Sequence, residues 1–255
     1  MTTDKKIALV TGAASGIGAA IARALAREVG AVVVVADRNR EGATGVAEEI
    51  DGVPLQVDVA RPSACRKLIR QVEREVGGVD ILVNNAGFQH VDPIDRFPDE
   101  KWNALLAVLL TAPFLLIKAV WPGMKARGWG RIVNIASIHA SVASPLKAGY
   151  VAAKHGLLGL TRVAALEGGE FGITVNAVCP AYVSTRLVED QLESQARMRG
   201  ISRQDVLEQV MLQPAAVKRL ISPEEVADVV VYLCSDRAGS VTGAAWNIDL
   251  GWTAR

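Results

Sequence analysis

The sequence predicts an α/β fold: a doubly wound parallel sheet of seven strands with helices on both faces. Three observations predict it. Short β-branched runs recur between stretches of helical period, most of those runs are continuously apolar, and a glycine cluster separates the first run from the first helical stretch. Strands that read as unbroken apolar runs are buried on both faces, which a parallel sheet covered by helices demands. The 255 residues, 50% of them hydrophobic, are enough for a full core. No repeat, low-complexity tract or linker-like shift divides the chain, so one domain over 1–255 is expected.

The expected strands are IALV (7–10), AVVVVA (31–36), VPLQV (53–57), VDILV (79–83), RIVNIAS (131–137), GITVNAV (172–178) and AAWNID (244–249). Between them, helical periodicity covers 16–29, 62–76, 150–167 and 223–234, the last opened by Ser222 as N-cap and Pro223 in the first turn. The stretch ALLAVLLTAPFLLI (104–117) reads as a buried helix too short to span a bilayer, with Pro113 in its middle. The polar, mainly helical segment 184–221 departs from the β/α rhythm just after a strand end. In an open α/β sheet ligands sit at that edge, so it is expected to act as a lid.

Charge excludes some partners. With 28 Lys+Arg against 27 Asp+Glu there is no net field to draw nucleic acid or an anionic membrane, and a charged ligand must be met by a local group. Cys65, Cys179 and Cys234 lie far apart and show no ligand spacing, so a reduced compartment and no metal are expected. The start, MTTDKKIALV, lacks an apolar signal core, and a cytoplasmic location follows as an expectation.

In LVTGAASGIGAAIARAL, Gly12, Gly16 and Gly18 stand between the first strand and the first helix. Small residues there let the backbone approach a pyrophosphate, and the helix start supplies free N–H groups and a favourable dipole. Asp37 follows the second strand, where a carboxylate accepts from an adenosine ribose and repels a 2′-phosphate, so NAD is expected over NADP. The adjacent Arg38 is read as a solvated surface group.

Three motifs occur together: T-G-A-A-S-G-I-G (11–18), N-N-A-G (84–87) and Ser137 thirteen residues before Y-V-A-A-K (150–154). On these the chain resembles the short-chain dehydrogenase/reductase family over its whole length. The resemblance implies a Rossmann-type sheet, a homotetramer and a catalytic set of Ser137, Tyr150 and Lys154. It implies cofactor contacts from Gly12, Ser15, Gly16, Ile17 and Gly18, from Asp37, from Asp58 and Val59 near the adenine, from Asn84 near the ribose, from Tyr150 and Lys154, and from Val183 and Thr185 near the nicotinamide. The chemistry is argued independently. Tyr150 and Lys154 are spaced i, i+4 on a helix and share a face. A phenol is a poor base at neutral pH, but an adjacent ammonium and an oxidised nicotinamide favour phenolate. Tyr150 is expected to take the alcohol proton while Ser137 holds the substrate oxygen.

His139 and Lys147 lie between Ser137 and Tyr150, in a loop along the expected mouth, and two potential cations there suggest an anionic substrate. Gln89 after N-N-A-G and Gln191 in the lid-like segment are candidate neutral donors to the same carboxylate. Here the resemblance narrows. F-Q-H-V (88–91), S-x-H-x-S-V-A-S-P-x-K-x-x-Y-V-A-A-K-H-G (137–156), E-D-Q (189–191) and the terminal G-W-T-A (251–254) are similar to the family's bacterial 3-hydroxybutyrate-oxidising members. That implies carboxylate binding by Gln89, His139, Lys147 and Gln191, with Trp252 nearby, and a small hydroxy acid, (R)-3-hydroxybutyrate, as substrate. The alternatives are a carrier-bound 3-oxoacyl chain or a polyol within the family, or a nucleotide-sensing module without turnover.

The chain also departs from the family pattern. Leu109 stands where the family has an Asn that supports a proton relay to the catalytic Lys. Pro113 has no N–H, so in a continuous helix it frees the Leu109 carbonyl; the alternative is a helix that ends before it. Ala181 and Leu250 stand where glycine is usual.

Overall fold

A computed structural model describes residues 5–254. Seven parallel strands form one sheet in the order β3-β2-β1-β4-β5-β6-β7: β1 Ile7–Thr11, β2 Val32–Asp37, β3 Val53–Gln56, β4 Ile81–Asn84, β5 Gly130–Ile135, β6 Ile173–Pro180 and β7 Ala245–Ile248. The order reverses between β1 and β4, which pair Leu9 with Leu82. This is the switch point of a doubly wound, Rossmann-type sheet, where the loops leaving the strands diverge and open a crevice.

Helices cover both faces: α1 Gly16–Ala24, α2 Arg40–Glu49, α3 Pro62–Glu75, α4 Asp99–Leu106, α5 Ala112–Arg127, α6 Ala148–Gly168, α7 Arg186–Arg199, α8 Arg203–Asp205 and α9 Pro223–Cys234. One apolar cluster packs Ile21 and Leu25 of the first helical run and Val226, Val230 and Leu233 of α9 on Val10, Val35 and Val133. A second, on the other face, packs α3 and α5 (Leu68, Val72, Leu116, Val120) on Leu9, Val34, Leu82 and Ile132. Of the interior strands, β1, β4, β5 and β6 are buried throughout and β2 is buried from Val33 to Ala36, in keeping with their mostly apolar sequences, although β4, β5 and β6 also bury Asn84, Arg131, Asn134, Thr174 and Asn176. The edge strands β3 and β7 alternate between half-buried and exposed, since each has a neighbour on one side alone.

Several expectations need correction. The strand expected over 131–137 stops at Ile135, which releases Ser137 to cap a 3-10 turn, Ile138–Ala140. Helix α2, whose ten residues bury only Ala43, Val46 and Ala47, carries too few apolar positions to stand out in sequence. The apolar stretch 104–117 belongs to a longer helical run. From Asp99 to Arg127 helix continues through a π turn, Ala107–Thr111, and past Pro113. It therefore does not end before the proline. Among the described residues this run is long and apolar enough to cross a membrane by length and composition. In the fold its α5 part packs on the sheet through Leu116, Val120 and Met124, while Leu105 and Leu109 are buried against Ala153 of α6.

The lid-like segment consists of α7, α8 and a π turn Val206–Met211. Its two ends meet, with Val183 paired to Ile221, Ser184 N–H donating to the Ile221 carbonyl and Ile221 N–H donating to the Tyr182 carbonyl. Val188, Leu192, Val206 and Met211 give it a small apolar core of its own.

Candidate active site

At the switch point the glycine turn is as tight as a backbone allows. Gly12 and Gly16 have φ of +66° and +55°, and a Cβ on Gly18 would stand 2.2 Å from the Gly12 carbonyl oxygen. That contact forces glycine where α1 meets β1. The Asn85 amide clamps the turn by donating to the Thr11 and Gly12 carbonyls. Ser15, at the N-cap of α1, is exposed and makes no side-chain cap, so the first N–H groups are left for a ligand. Ile17 packs half-buried on the core beneath. Both Asp37 oxygens are oriented by backbone, one accepting from Ala14 N–H at 3.1 Å and the other from Asn39 N–H at 2.9 Å. These features fit a dinucleotide: a cradle closed to any side chain, free donors for phosphate, and a fixed carboxylate at the next strand end.

The other expected cofactor residues divide. Val59 is buried, and Thr185 stands over the turn, its Cγ2 3.2 Å from where a Gly16 Cβ would be, with Oγ1 donating to the Val183 carbonyl. Asp58 is exposed and occupied with Ala60 N–H and Arg61. Asn84 is the last residue of β4. Its side chain is buried within the sheet and donates to Asn134 Oδ1 at 2.8 Å, a polar pairing inside an apolar layer that sequence does not reveal.

Ser137, Tyr150 and Lys154 come together as expected. Ser137 accepts from His139 N–H at 3.2 Å and donates to the Pro180 carbonyl at 3.5 Å, which fixes its hydroxyl at the end of β5. Lys154 is buried and donates to the Ile135 carbonyl at 2.7 Å; its Nζ lies 5.5 Å from the Tyr150 ring centroid. Burial pushes Tyr150 up to about 12, against a lowering hydrogen bond from Ser137, and pushes Lys154 down to about 8. In the free protein, without the charge of an oxidised nicotinamide, burial outweighs the neighbouring ammonium and the phenol keeps its proton. Cys179, beside Lys154, is pushed up to about 11 by burial and is no thiolate at neutral pH.

The loop before α6 holds the remaining group. His139 and Lys147 are both buried, and Lys147 Nζ donates to His139 Nε2 at 3.2 Å and to the Tyr182 hydroxyl at 3.4 Å. No carboxylate pairs with Lys147 among the described residues. Burial brings Lys147 down to about 8, while burial and the Lys147 charge bring His139 to about 3. His139 is thus a neutral acceptor, and the expected pair of cations is one cation. Leu146, with φ of +70°, delivers Lys147 from the left-handed region, and its carbonyl accepts from Asp92 N–H.

Trp252 meets His139 edge-on, ring centroids 6.3 Å apart, and donates from Nε1 to the Met211 carbonyl of the lid. Gln191 is buried on the inner side of α7, with Oε1 unpartnered. Gln89 spends its Oε1 on His90 N–H and is only half-buried. Sequence reasoning missed Tyr182. It stands two residues past β6 with its ring against the lid core and its hydroxyl on Lys147; its place after a strand end, next to the lid, was the available signal.

Leu109 packs in an apolar cluster with Leu105, Ala153 and Tyr150. The small cavity beside Pro113 is lined by Thr11, Val59, Asn84, Ala86 and Val108, and Lys154 does not border it. Ala181 has an ordinary φ and loses nothing by not being glycine, whereas Leu250 sits at φ +56°.

Comparison with known proteins agrees with this geometry. The family model described as "Enoyl-(Acyl carrier protein) reductase" matches residues 12–253. The chain is 45% identical to the D-beta-hydroxybutyrate dehydrogenase of Rhizobium meliloti (strain 1021), over 98% of this chain and 99% of that one. It is 41% identical to the acetoacetyl-CoA reductase of the same organism, over 96% and 98%. The crystal structure of a tryptophan-substituted actinorhodin polyketide ketoreductase with NADPH superposes with a TM-score of 0.94 at 36% identity, covering 100% of this chain and 99% of that one. A glycine cradle at the switch point, a Ser-Tyr-Lys group beside it and full-length kinship to such oxidoreductases have one meaning: the chain belongs to the short-chain dehydrogenase/reductase family.

Proposed function

We propose that the chain is an NAD-dependent dehydrogenase that interconverts (R)-3-hydroxybutyrate and acetoacetate. The observation that carries this reading is Lys147, a buried ammonium whose partners are a neutral imidazole and a phenol. A buried cation without a counter-charge is costly, and a substrate carboxylate provides the missing one. Kinship to the Rhizobium meliloti dehydrogenase supports the same choice. A carrier-bound thioester or a polyol would leave Lys147 unpaired.

A nicotinamide dinucleotide, held by the glycine turn, the α1 start, Asp37 and the Val183–Thr185 segment, supplies the hydride acceptor when bound. Ser137 donates its hydroxyl hydrogen bond to the substrate oxygen and orients it toward Tyr150. Tyr150 Oη accepts the proton of the substrate hydroxyl as the carbon is oxidised, and returns it in the reduction. Lys154 holds positive charge beside the phenol, and its bond to the Ile135 carbonyl keeps it there. Lys147, bonded to His139, takes the carboxylate, with Gln191 and Gln89 as the further donors that the family resemblance implies, and Trp252 and the lid exclude water. Asp37 supports NAD over NADP, because a fixed carboxylate repels a 2′-phosphate.

We propose a homotetramer on the same footing. Phe114 on α5 and Val163 and Leu166 on α6 are large apolar side chains exposed in one chain, Leu166 to 85%.

The test follows nicotinamide absorbance with (R)-3-hydroxybutyrate, a 3-hydroxyacyl thioester and glucose, each with NAD and NADP. The expected result is the highest kcat/KM for 3-hydroxybutyrate with NAD. A preference for the thioester or the sugar overturns the substrate assignment, and a preference for NADP overturns the role of Asp37.

A further inference from the structure

A ladder of buried polar side chains crosses the sheet below the site. Asn84 Nδ2 donates to Asn134 Oδ1 at 2.8 Å, Asn134 Nδ2 donates to Thr161 Oγ1 at 2.9 Å, and Thr161 Oγ1 donates to the Leu157 carbonyl at 2.8 Å. Asn84 and Asn134 are register partners on β4 and β5, and Thr161 is on α6, the helix that carries Tyr150 and Lys154. Asn134 and Thr161 are fully buried. Stability does not require such a ladder, since apolar groups of the same shape fill such a space at little or no cost. Its distinguishing property is direction. Asn134 accepts from β4 and donates to α6, so neither its rotamer nor its amide orientation can change without losing both bonds.

We infer that Asn134 and Thr161 are positioning residues for Lys154, fixing the height and rotation of α6 on β5 so that the ammonium meets the Ile135 carbonyl. Lys154 and Thr161 are two helical turns apart on one face, and they bond to consecutive residues of β5, Ile135 and Asn134. Two such points define both the slide and the roll of a helix on a strand. The other contacts on that face, through Leu157, Leu158, Ala164 and Ala165, are apolar and non-directional, and tolerate small displacements. The inference rests on the proposed function only for the use made of Lys154, because the geometry exists in the free protein.

The test compares wild type with Thr161→Val, which keeps the shape and removes the hydroxyl, and with Thr161→Ser, which restores it. The primary readout is the pH titration of the Lys154 side-chain amine by NMR in the cofactor-free protein, with ¹⁵N-labelled lysine and Lys154→Met for assignment. In Thr161→Val the ammonium gains water and the midpoint rises by about half a unit or more. In the same variant kcat falls about tenfold, while KM for NAD and for 3-hydroxybutyrate stays within about twofold. Thr161→Ser returns both values. A Thr161→Val protein with a lower Tm but an unchanged midpoint and kcat overturns the inference and makes the ladder purely structural. If Thr161→Val does not fold, Thr161→Ala gives the same comparison without a new buried methyl. A shifted midpoint in a protein that oxidises no 3-hydroxybutyrate sustains the positioning role and removes the proposed function. Full activity without a shift does the reverse.

Discussion

Two buried lysines of the site reach about 8 for the same reason, loss of water around an ammonium, yet they face different partners. Lys154 has a backbone carbonyl, whereas Lys147 has only neutral side chains. The second arrangement makes carboxylate binding depend on pH. Below about 8 Lys147 is charged and holds the anion; above it the charge goes, and KM for 3-hydroxybutyrate rises about tenfold per pH unit. The midpoint of that rise is read from KM against pH, and Lys147→Arg, charged at every pH, flattens it. The depressed folded value also means that the free protein gains stability as pH climbs from about 8 toward the ordinary lysine range. Lys147→Ala costs about 2 to 5 kcal/mol of kcat/KM with little change for a neutral alcohol. Tyr150, pushed up to about 12, keeps its proton in the free protein and becomes a base only when positive charge is added next to it. Tyr150→Phe removes the proton acceptor, and the expected outcome is loss of nearly all turnover with NAD binding retained, checked by fluorescence titration.

The elements divide by how local their causes are. The glycine turn and α9 were legible because sequence-adjacent groups build them. The first needs glycine for φ and for the contact of Gly18 with Gly12; the second has a capping box between Ser222 and Glu225. Gly18→Ala drives a methyl into the Gly12 carbonyl, so dinucleotide binding is expected to be lost, as seen by calorimetry, even where the variant folds. Ser222→Ala removes one bond of the box and lowers stability by about 1 kcal/mol, measured as a fall in Tm with kcat unchanged. Helix α2, the end of β5 and the run through Pro113 were not legible. A helix of few apolar positions looks like a loop, a strand end depends on how far its neighbours pair, and a π turn lets a helix pass a proline that an α-helix accepts poorly.

For the whole molecule, the β1/β4 switch opens the crevice toward which segments far apart in the chain converge, among them the glycine turn after β1 and the loop that follows β4. Assembly is the next level. The exposed apolar strip of α5 and α6 is expected to be covered by another copy, and Leu166→Glu is expected to shift the mass in solution below that of a tetramer, as read by light scattering.

The sequence by itself determined the fold class, the glycine cradle, Asp37, the Ser137-Tyr150-Lys154 group and the placing of His139 and Lys147 in one loop, because period, spacing and conformational freedom are properties of neighbouring residues. Only the tertiary structure decided the charge state of His139, the protonated resting state of Tyr150, the entry of Tyr182 and the turning of Asn84 into the sheet. Each of these depends on burial and on partners far away in the chain, and solvation is fixed only once the layers have closed.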